Sequence, residues 1–227
     1  MNERPVTALV VFELAGTTVH DGGEVAHAFT GALEAEGVAV SAAALARVRG
    51  ASKRAAIRSF LPDGAAGDRR AEAAYAAFRE RLRVRLSQGA RPVDGARETL
   101  EGLRAAGIRV ALNTGFDREI TGVLLDSLGW RDGVADAVVC GDDVAEGRPA
   151  PYMIFRAMEL TRTASVHQVA SVGDTTLDLL AGHHAGVRWN IGVLSGAHDA
   201  ARLAQAPHTH LAASVAALPA FRGPGGS

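Results

Sequence analysis

Three carboxylates, an arginine and several hydroxyl and glycine positions have the types and spacing that phosphoryl chemistry requires. Glu13 closes the apolar run Val10-Val11-Phe12 and is followed by Leu14-Ala15-Gly16-Thr17-Thr18. An acid placed there can serve as a nucleophile or a metal ligand, or stand as a solvated loop carboxylate; an unpaired charge directly after a buried-strand sequence is costly, which weighs on the side of a use. Asp174 and Asp178 stand in Val172-Gly173-Asp174-Thr175-Thr176-Leu177-Asp178 and offer the hard oxygens that magnesium takes while keeping several waters. N-capping of a helix is the other use open to Asp174. Gly16 and Thr17 can bind phosphate through backbone N–H groups and a hydroxyl. Thr114 and Gly115, in Asn113-Thr114-Gly115, supply a further hydroxyl and amide, and Arg148, in Gly147-Arg148-Pro149, is a permanent cation suited to a phosphoryl oxygen or a carboxylate nucleophile. Each signal is weak alone; their order along one chain makes them specific.

The elements that must position these groups follow from the hydrophobic periodicity. Thr7–Phe12 reads as a short buried strand. Residues 21–90 read as helical and rich in Ala and Arg, with Ser41, Ser52 and Asp68 as N-caps and with breaks at Gly50 and at Leu61-Pro62-Asp63-Gly64. Beyond Pro92 the pattern alternates. The predicted helices are Ala96–Ala106, Asp117–Leu128, Tyr152–Leu160 and Leu177–Ala185. The predicted strands are Val110–Asn113, Ala137–Cys140, Val169–Val172 and Asn190–Leu194. Short apolar strands between amphipathic helices imply an α/β fold with a Rossmann-like, doubly wound parallel sheet. Residues 1–20 and 91–227 form its core and 21–90 an inserted helical domain. Glu13, Thr114, Arg148 and Asp174 then fall at or just past strand ends, where ligands bind in such sheets. His208-Thr209-His210 alternates like an edge strand, Ser195-Gly196 reads as a loop near the site, and His183-His184 as structural or rim residues. The tail from Arg222 to Ser227 reads as disordered.

Composition narrows the function classes. The chain has 227 residues, 48% of them hydrophobic, with a net charge of −1 and one cysteine, Cys140. Near-neutral charge offers no general attraction to nucleic acid or to an anionic membrane, and a lone cysteine excludes an internal disulfide framework. The apolar run near the N-terminus is too short for a signal peptide or a membrane span. A cytoplasmic enzyme or small-ligand binder is expected.

The order of motifs resembles the haloacid dehalogenase superfamily, over nearly the whole chain. Phe12-Glu13-Leu14-Ala15-Gly16-Thr17, Asn113-Thr114-Gly115, Gly147-Arg148-Pro149 and Gly173-Asp174-Thr175-Thr176-Leu177-Asp178 match its four motifs, and the helical insert looks like its C1 cap. Ala15-Gly16-Thr17-Thr18-Val19, Arg148 and Asn113-Thr114-Gly115-Phe116-Asp117-Arg118-Glu119 are similar to the phosphonatase-like branch.

The resemblance implies that the motif-one carboxylate, here Glu13 in place of Asp, attacks phosphorus and binds Mg2+ with the Ala15 carbonyl and Asp174. Thr114 and Arg148 then hold the phosphoryl group and Asp178 acts from behind the ligands. Gly50-Ala51-Ser52-Lys53 matches the spacing of the lysine that forms a Schiff base in phosphonatases, which makes Lys53 a candidate catalytic residue. Ala56, Arg49 and Gly23 depart from that branch, which has His, Met and Cys there. Arg49 is expected to lower the Lys53 pKa by like-charge repulsion and to add a cation able to bind a substrate anion. Together with Arg47 and Arg54 it makes the cap face basic. The implied activity is hydrolysis of a small phosphonate or phosphorylated metabolite. Two alternatives are a phosphate-monoester phosphatase that lacks the usual general acid, since Ala15 fills its position, and a ligand-binding protein that keeps the fold without turnover. Pairing of two copies through the cap is also expected by analogy.

Overall fold

The structure, a computed structural model, describes residues 6–223. Six parallel strands form one sheet in the order β3-β2-β1-β4-β5-β6. They are β1 (Leu9–Glu13), β2 (Arg109–Asn113), β3 (Ala137–Val139), β4 (Val169–Gly173), β5 (Trp189–Val193) and β6 (His210–Ala212). All five residues of β1 are buried because it lies in the middle of the sheet, covered on both faces. Alternation sends Val10 and Phe12 to one face, with Val110, Leu112, Ala170 and Val172, and Leu9 and Val11 to the other, with Ala111, Val139 and Val169. The chain runs from β1 outward to β3, then returns to β4 on the far side of β1, so the winding direction reverses between β1 and β4. A crevice opens at their carboxyl ends. Glu13 is the last residue of β1, paired in register with Asn113, and Asp174 directly follows β4.

Between β1 and β2 stand four helices, α1 (Glu24–Ala35), α2 (Ala42–Arg47), α3 (Lys53–Arg58) and α4 (Ala65–Ser87), followed by α5 (Ala96–Ala105). On α4 the residues Ala71, Ala74, Tyr75, Phe78, Leu82 and Leu86 recur at helical spacing and bury one stripe. Phe78 meets Phe29 of α1 edge to face at 6.3 Å, and Phe29 meets Phe60 at 5.7 Å. Helix α6 (Arg118–Leu128) packs against α4. Its N-cap Asp117 accepts from Ile120 N and from the Tyr75 hydroxyl at 2.7 Å, and Arg79 Nε lies 2.7 Å from it. One carboxylate therefore caps a helix after the sheet and ties the inserted helices down. Helices α7 (Tyr152–Thr161), α8 (Thr176–Ala185) and α9 (Ala200–Leu203) complete the fold. Among the described residues no helix is long and apolar enough to cross a membrane.

Several expected boundaries shift. Ser41 caps α2 through its side chain, and Ser52 occupies the N-cap position of α3 without a side-chain bond. Asp68 is not an N-cap: α4 starts at Ala65 after Gly64, and Asp68 lies in its first turn, paired with Arg58. The edge strand begins at His210 rather than His208, because Thr209 turns its N–H and hydroxyl to the Asn190 carbonyl. Arg222 is ordered, its carbonyl accepting from Thr7 N at 2.7 Å, which ties the chain end beside the start of β1; residues 224–227 of the expected disordered tail lie outside the described residues.

Candidate active site

Glu13, Asp174, Asp178 and Arg148 meet at the crevice between β1 and β4, all of them buried. Arg148 joins the acids: its Nη1 bonds Asp178 Oδ1 and its Nη2 lies 3.5 Å from Glu13 Oε1. Burial works against the arginine's charge, but Asp178 and Glu13 raise its pKa and keep it protonated. His184, near the end of α8, bonds the Pro149 carbonyl at 2.8 Å and so holds the loop that carries Arg148, a structural role as expected for this pair. The second oxygen of Glu13, Oε2, is buried with no hydrogen-bond partner. Burial first, and then Asp174 and Asp178, push the Glu13 pKa well above its ordinary range, against the opposing pull of Arg148 and Lys53. A buried carboxylate left half unpaired beside two other acids invites a cation or an electrophile.

The turn after β1 and the loop after β5 hold Asp174. Gly16 has φ +96°, and a Cβ there would come within 2.3 Å of Asp174 Oδ2. Thr17 donates its hydroxyl to Asp174 Oδ1 at 3.1 Å, and Ala197 N donates to Oδ2 at 2.7 Å. Ser195 Oγ bonds the Gly16 carbonyl and His198 N the Asp174 carbonyl, while His198 Nδ1 accepts from Thr176 N at 3.1 Å. Burial, then Asp178, raises the Asp174 pKa to about 6. Asp174 does not cap α8. Thr175 does, in a reciprocal pair with Asp178, which leaves Asp174 turned to the crevice.

Gly16 and Thr17 are not phosphate donors as expected. Gly16 N is spent on the Val19 carbonyl, Thr17 N reaches toward Leu14, and the Thr17 hydroxyl is spent on Asp174, so neither residue lines the cavity. Thr114 and Gly115 do line it, beside Arg148.

The inserted helices close the cavity from above. Ala51 N bonds the Val48 carbonyl across a tight turn whose third residue, Gly50, has φ +81°, the conformation a type II turn needs there. A Cβ on Gly50 would lie 2.5 Å from Thr175 Oγ1, one on Gly115 3.0 Å from the Ala51 carbonyl and one on Gly147 3.3 Å from Ser52 Cβ. Three glycines thus let the 50–52 segment sit directly on the loops that carry Thr114, Arg148 and Asp174. The result is a cavity of about 60 Å³, lined by Glu13, Ala15, Lys53, Arg148, Asp174 and Asp178 below and by apolar Val25, Phe29, Leu45, Val48 and Phe116 around it. A water needs roughly 10–15 Å³ on this measure, so the space suits a phosphoryl-sized group and a short substituent.

Lys53 opens α3 with its amine turned inward, bonded to the Ala51 carbonyl at 3.0 Å. Burial and then Arg148 lower its pKa to about 8. Arg148, rather than the expected Arg49, is the cation responsible, because it shares the buried floor while Arg49 stands at the cavity edge. Nor do all three basic residues face the site. Arg54 pairs with Glu72 and covers the Tyr75 ring at 4.7 Å, Arg47 is exposed, and only Arg49 lines the cavity. Sequence reasoning missed Asp21, which also lines it, and the Ala197–His198 half of the clamp. Asp21 carries no motif, and Ala197 acts through a main-chain N–H that residue type does not reveal.

The oxygens fit a hard cation in kind. Among the described residues no three His, Cys, Asp or Glu side chains form a metal cluster. The available donors are the unpaired Glu13 Oε2, Asp174, whose oxygens each accept only one bond, and the Ala15 carbonyl, which accepts none of the backbone bonds of its turn. A small protein donor set of oxygens alone is the kind magnesium accepts.

Comparison with known proteins gives the family and the fold. The family model of haloacid dehalogenase-like hydrolases matches residues 7–186. Phosphonoacetaldehyde hydrolase of Bacillus cereus is 35% identical over 126 residues, 55% of this chain and 47% of the relative, so the chain matches about half the length of that curated relative. A hydrolase from Pseudomonas syringae superposes with TM-score 0.84 at 23% identity, covering 93% of this chain and 96% of that one. A phosphonoacetaldehyde hydrolase-like protein from Oleispira antarctica does so with TM-score 0.82 at 24% identity, covering 93% and 89%. The chain is a member of the haloacid dehalogenase-like hydrolase family, with its sequence likeness to the phosphonatase-like branch.

Proposed function

We propose that this protein hydrolyses a small phosphonate bearing a carbonyl group, with Glu13 as the nucleophile, Lys53 as the imine-forming amine and Mg2+ as cofactor. The observation that carries the reading is the pairing, in one small cavity, of a half-unpaired buried carboxylate with a buried lysine whose pKa is lowered to about 8. The neutral amine adds to the substrate carbonyl and loses water to form an imine. Glu13 attacks phosphorus, the carbon–phosphorus bond breaks, and its electron pair moves into the protonated imine, whose nitrogen takes up the charge, to give a neutral enamine. Water cleaves the phosphoryl–Glu13 bond and releases phosphate. Protonation at carbon and addition of water return the carbonyl compound and free Lys53.

Thr114, Gly115 and Arg148 surround the phosphoryl oxygens, and Asp178 keeps Arg148 aimed. Glu13, Asp174 and the Ala15 carbonyl would hold a magnesium ion, which when bound would offset the charge of the acids and of the phosphoryl group. Residues 21–90 act as the cap over residues 1–20 and 91–227, sealing the reaction from water through the 50–52 segment.

Ala15 favours carbon–phosphorus over ester cleavage. It stands at the cavity wall without a proton to give, and general acid help to a leaving alkoxide is worth about 10²–10⁴-fold. Phosphate release from carbonyl phosphonates and from phosphate monoesters, with borohydride trapping of Lys53, tests the choice. Release from monoesters with no lysine adduct would replace this reading with the phosphatase one.

A further inference from the structure

Of the ten arginines in residues 21–90, five are committed to ion pairs: Arg54, Arg58, Arg70, Arg79 and Arg83. Among the others Arg49 alone lines the cavity: it is half-buried there, and among the described residues no carboxylate lies within ion-pair distance of its guanidinium. Its position is fixed. It is the second residue of the Val48–Ala51 turn, and the next residue, Gly50, is seated against Thr175. Lys53 and Asp21, which interact with each other, line the same cavity, and Arg49 acts on His198, whose pKa burial, then Arg202 and Arg49, lower. Arg148, the other guanidinium of the cavity, is already joined to Asp178 and Glu13.

A guanidinium without a carboxylate partner, carried by a half-buried residue that lines a phosphoryl cavity, is suited to a second anion on the same ligand. We infer that Arg49 is a specificity-determining residue and that the substrate carries a carboxylate on the portion that leaves phosphorus. Arg49 grips this carboxylate while the phosphoryl group sits on Arg148. The planar fork of arginine suits a carboxylate in two parallel hydrogen bonds. The apolar walls of Val25, Phe29 and Phe116 leave only a short spacer between the two anions. This rests on the hydrolase reading for the position of the phosphoryl group, and deepens it to the class of carboxylated keto-phosphonates.

Two unreactive probes separate the inference from the reaction. Calorimetric dissociation constants are measured in Mg2+ for phosphonoacetate and for ethylphosphonate, which differ in the carboxylate. Wild-type protein is expected to bind phosphonoacetate about tenfold or more tightly, the worth of a charged hydrogen-bonded pair. In Arg49→Gln the ratio falls toward one, and Arg49→Lys restores part of it. Equal affinity in the wild type, or a ratio that survives in Arg49→Gln, overturns the inference. Failure of the hydrolase reading looks different: the Arg49-dependent preference persists while no phosphonate or phosphate ester releases phosphate.

Discussion

Glu13 Oε1 lies 3.5 Å from Nη2 of Arg148, at the outer edge of hydrogen bonding, and its other oxygen is bonded to nothing. A tight fork-to-fork pair would have locked the carboxylate and neutralised it as a nucleophile. Here Arg148 turns its close bond to Asp178 and only steadies Glu13. The longer side chain of Glu thus reaches the arginine and the cavity while keeping one oxygen available.

Lys53 makes the pH dependence specific. With its pKa lowered from 10.5 to about 8, borohydride trapping of an aldehyde phosphonate is expected to rise with pH around a midpoint near 8, and to vanish in Lys53→Arg. A midpoint near that of free lysine would show that the amine is not in the cavity. The effect on stability has the same origin. The unfolded chain holds the extra proton between pH 8 and 10.5, so the contribution of Lys53 to stability rises with pH across that window.

The Ala197 N–H fixes Asp174 at 2.7 Å, so Ala197→Pro removes the donor and lets the carboxylate turn. Magnesium affinity, read from the thermal shift in a Mg2+ titration, is expected to fall about 10–100-fold, the usual effect of losing a group that orients a ligand. Unchanged affinity would remove Asp174 from the ligand set.

Gly50→Ala adds a Cβ 2.5 Å from Thr175 Oγ1 at a residue with φ +81°. The turn must lift from α8, and the expected cost is about 1 kcal/mol or more in urea unfolding. A loss of about 10²-fold in phosphate release is expected with it, because Lys53 moves with the turn. Normal turnover in this variant would mean that closure of the 50–52 segment is not needed.

Asp117→Ala removes the α6 N-cap and the partner of Tyr75 and Arg79 together. Loss of a cap costs about 1 kcal/mol and loss of a side-chain bond about as much again. Faster proteolysis within residues 21–90 is expected, since the tie to α6 is lost. Unaltered cleavage would show that apolar packing alone holds these helices down.

Much of this was legible in the chain because the chemistry sits at the ends of apolar runs. Val10-Val11-Phe12 predicts a buried strand, and the carboxylate that ends it is buried rather than solvated. Asp174, Thr114 and Arg148 are found in the same way. What escaped detection acts through the main chain or through direction. Gly16 and Thr17 have the right types to bind phosphate, yet their donors are used to hold Asp174 and the turn. Asp68 looks like a cap, but Gly64 lets α4 begin earlier. The clamp at Ala197 is a backbone amide, and the cation that tunes Lys53 is Arg148, far away in sequence but on the same buried floor.

Phosphate release by Glu13→Gln, set against the wild type on carbonyl phosphonates with Mg2+, tests the central claim most directly. The amide keeps the size and loses the nucleophile, so release by the wild type and a loss of about 10⁴-fold or more in the variant are predicted. Release that persists in Glu13→Gln, or a wild type that frees no phosphate, would contradict the account.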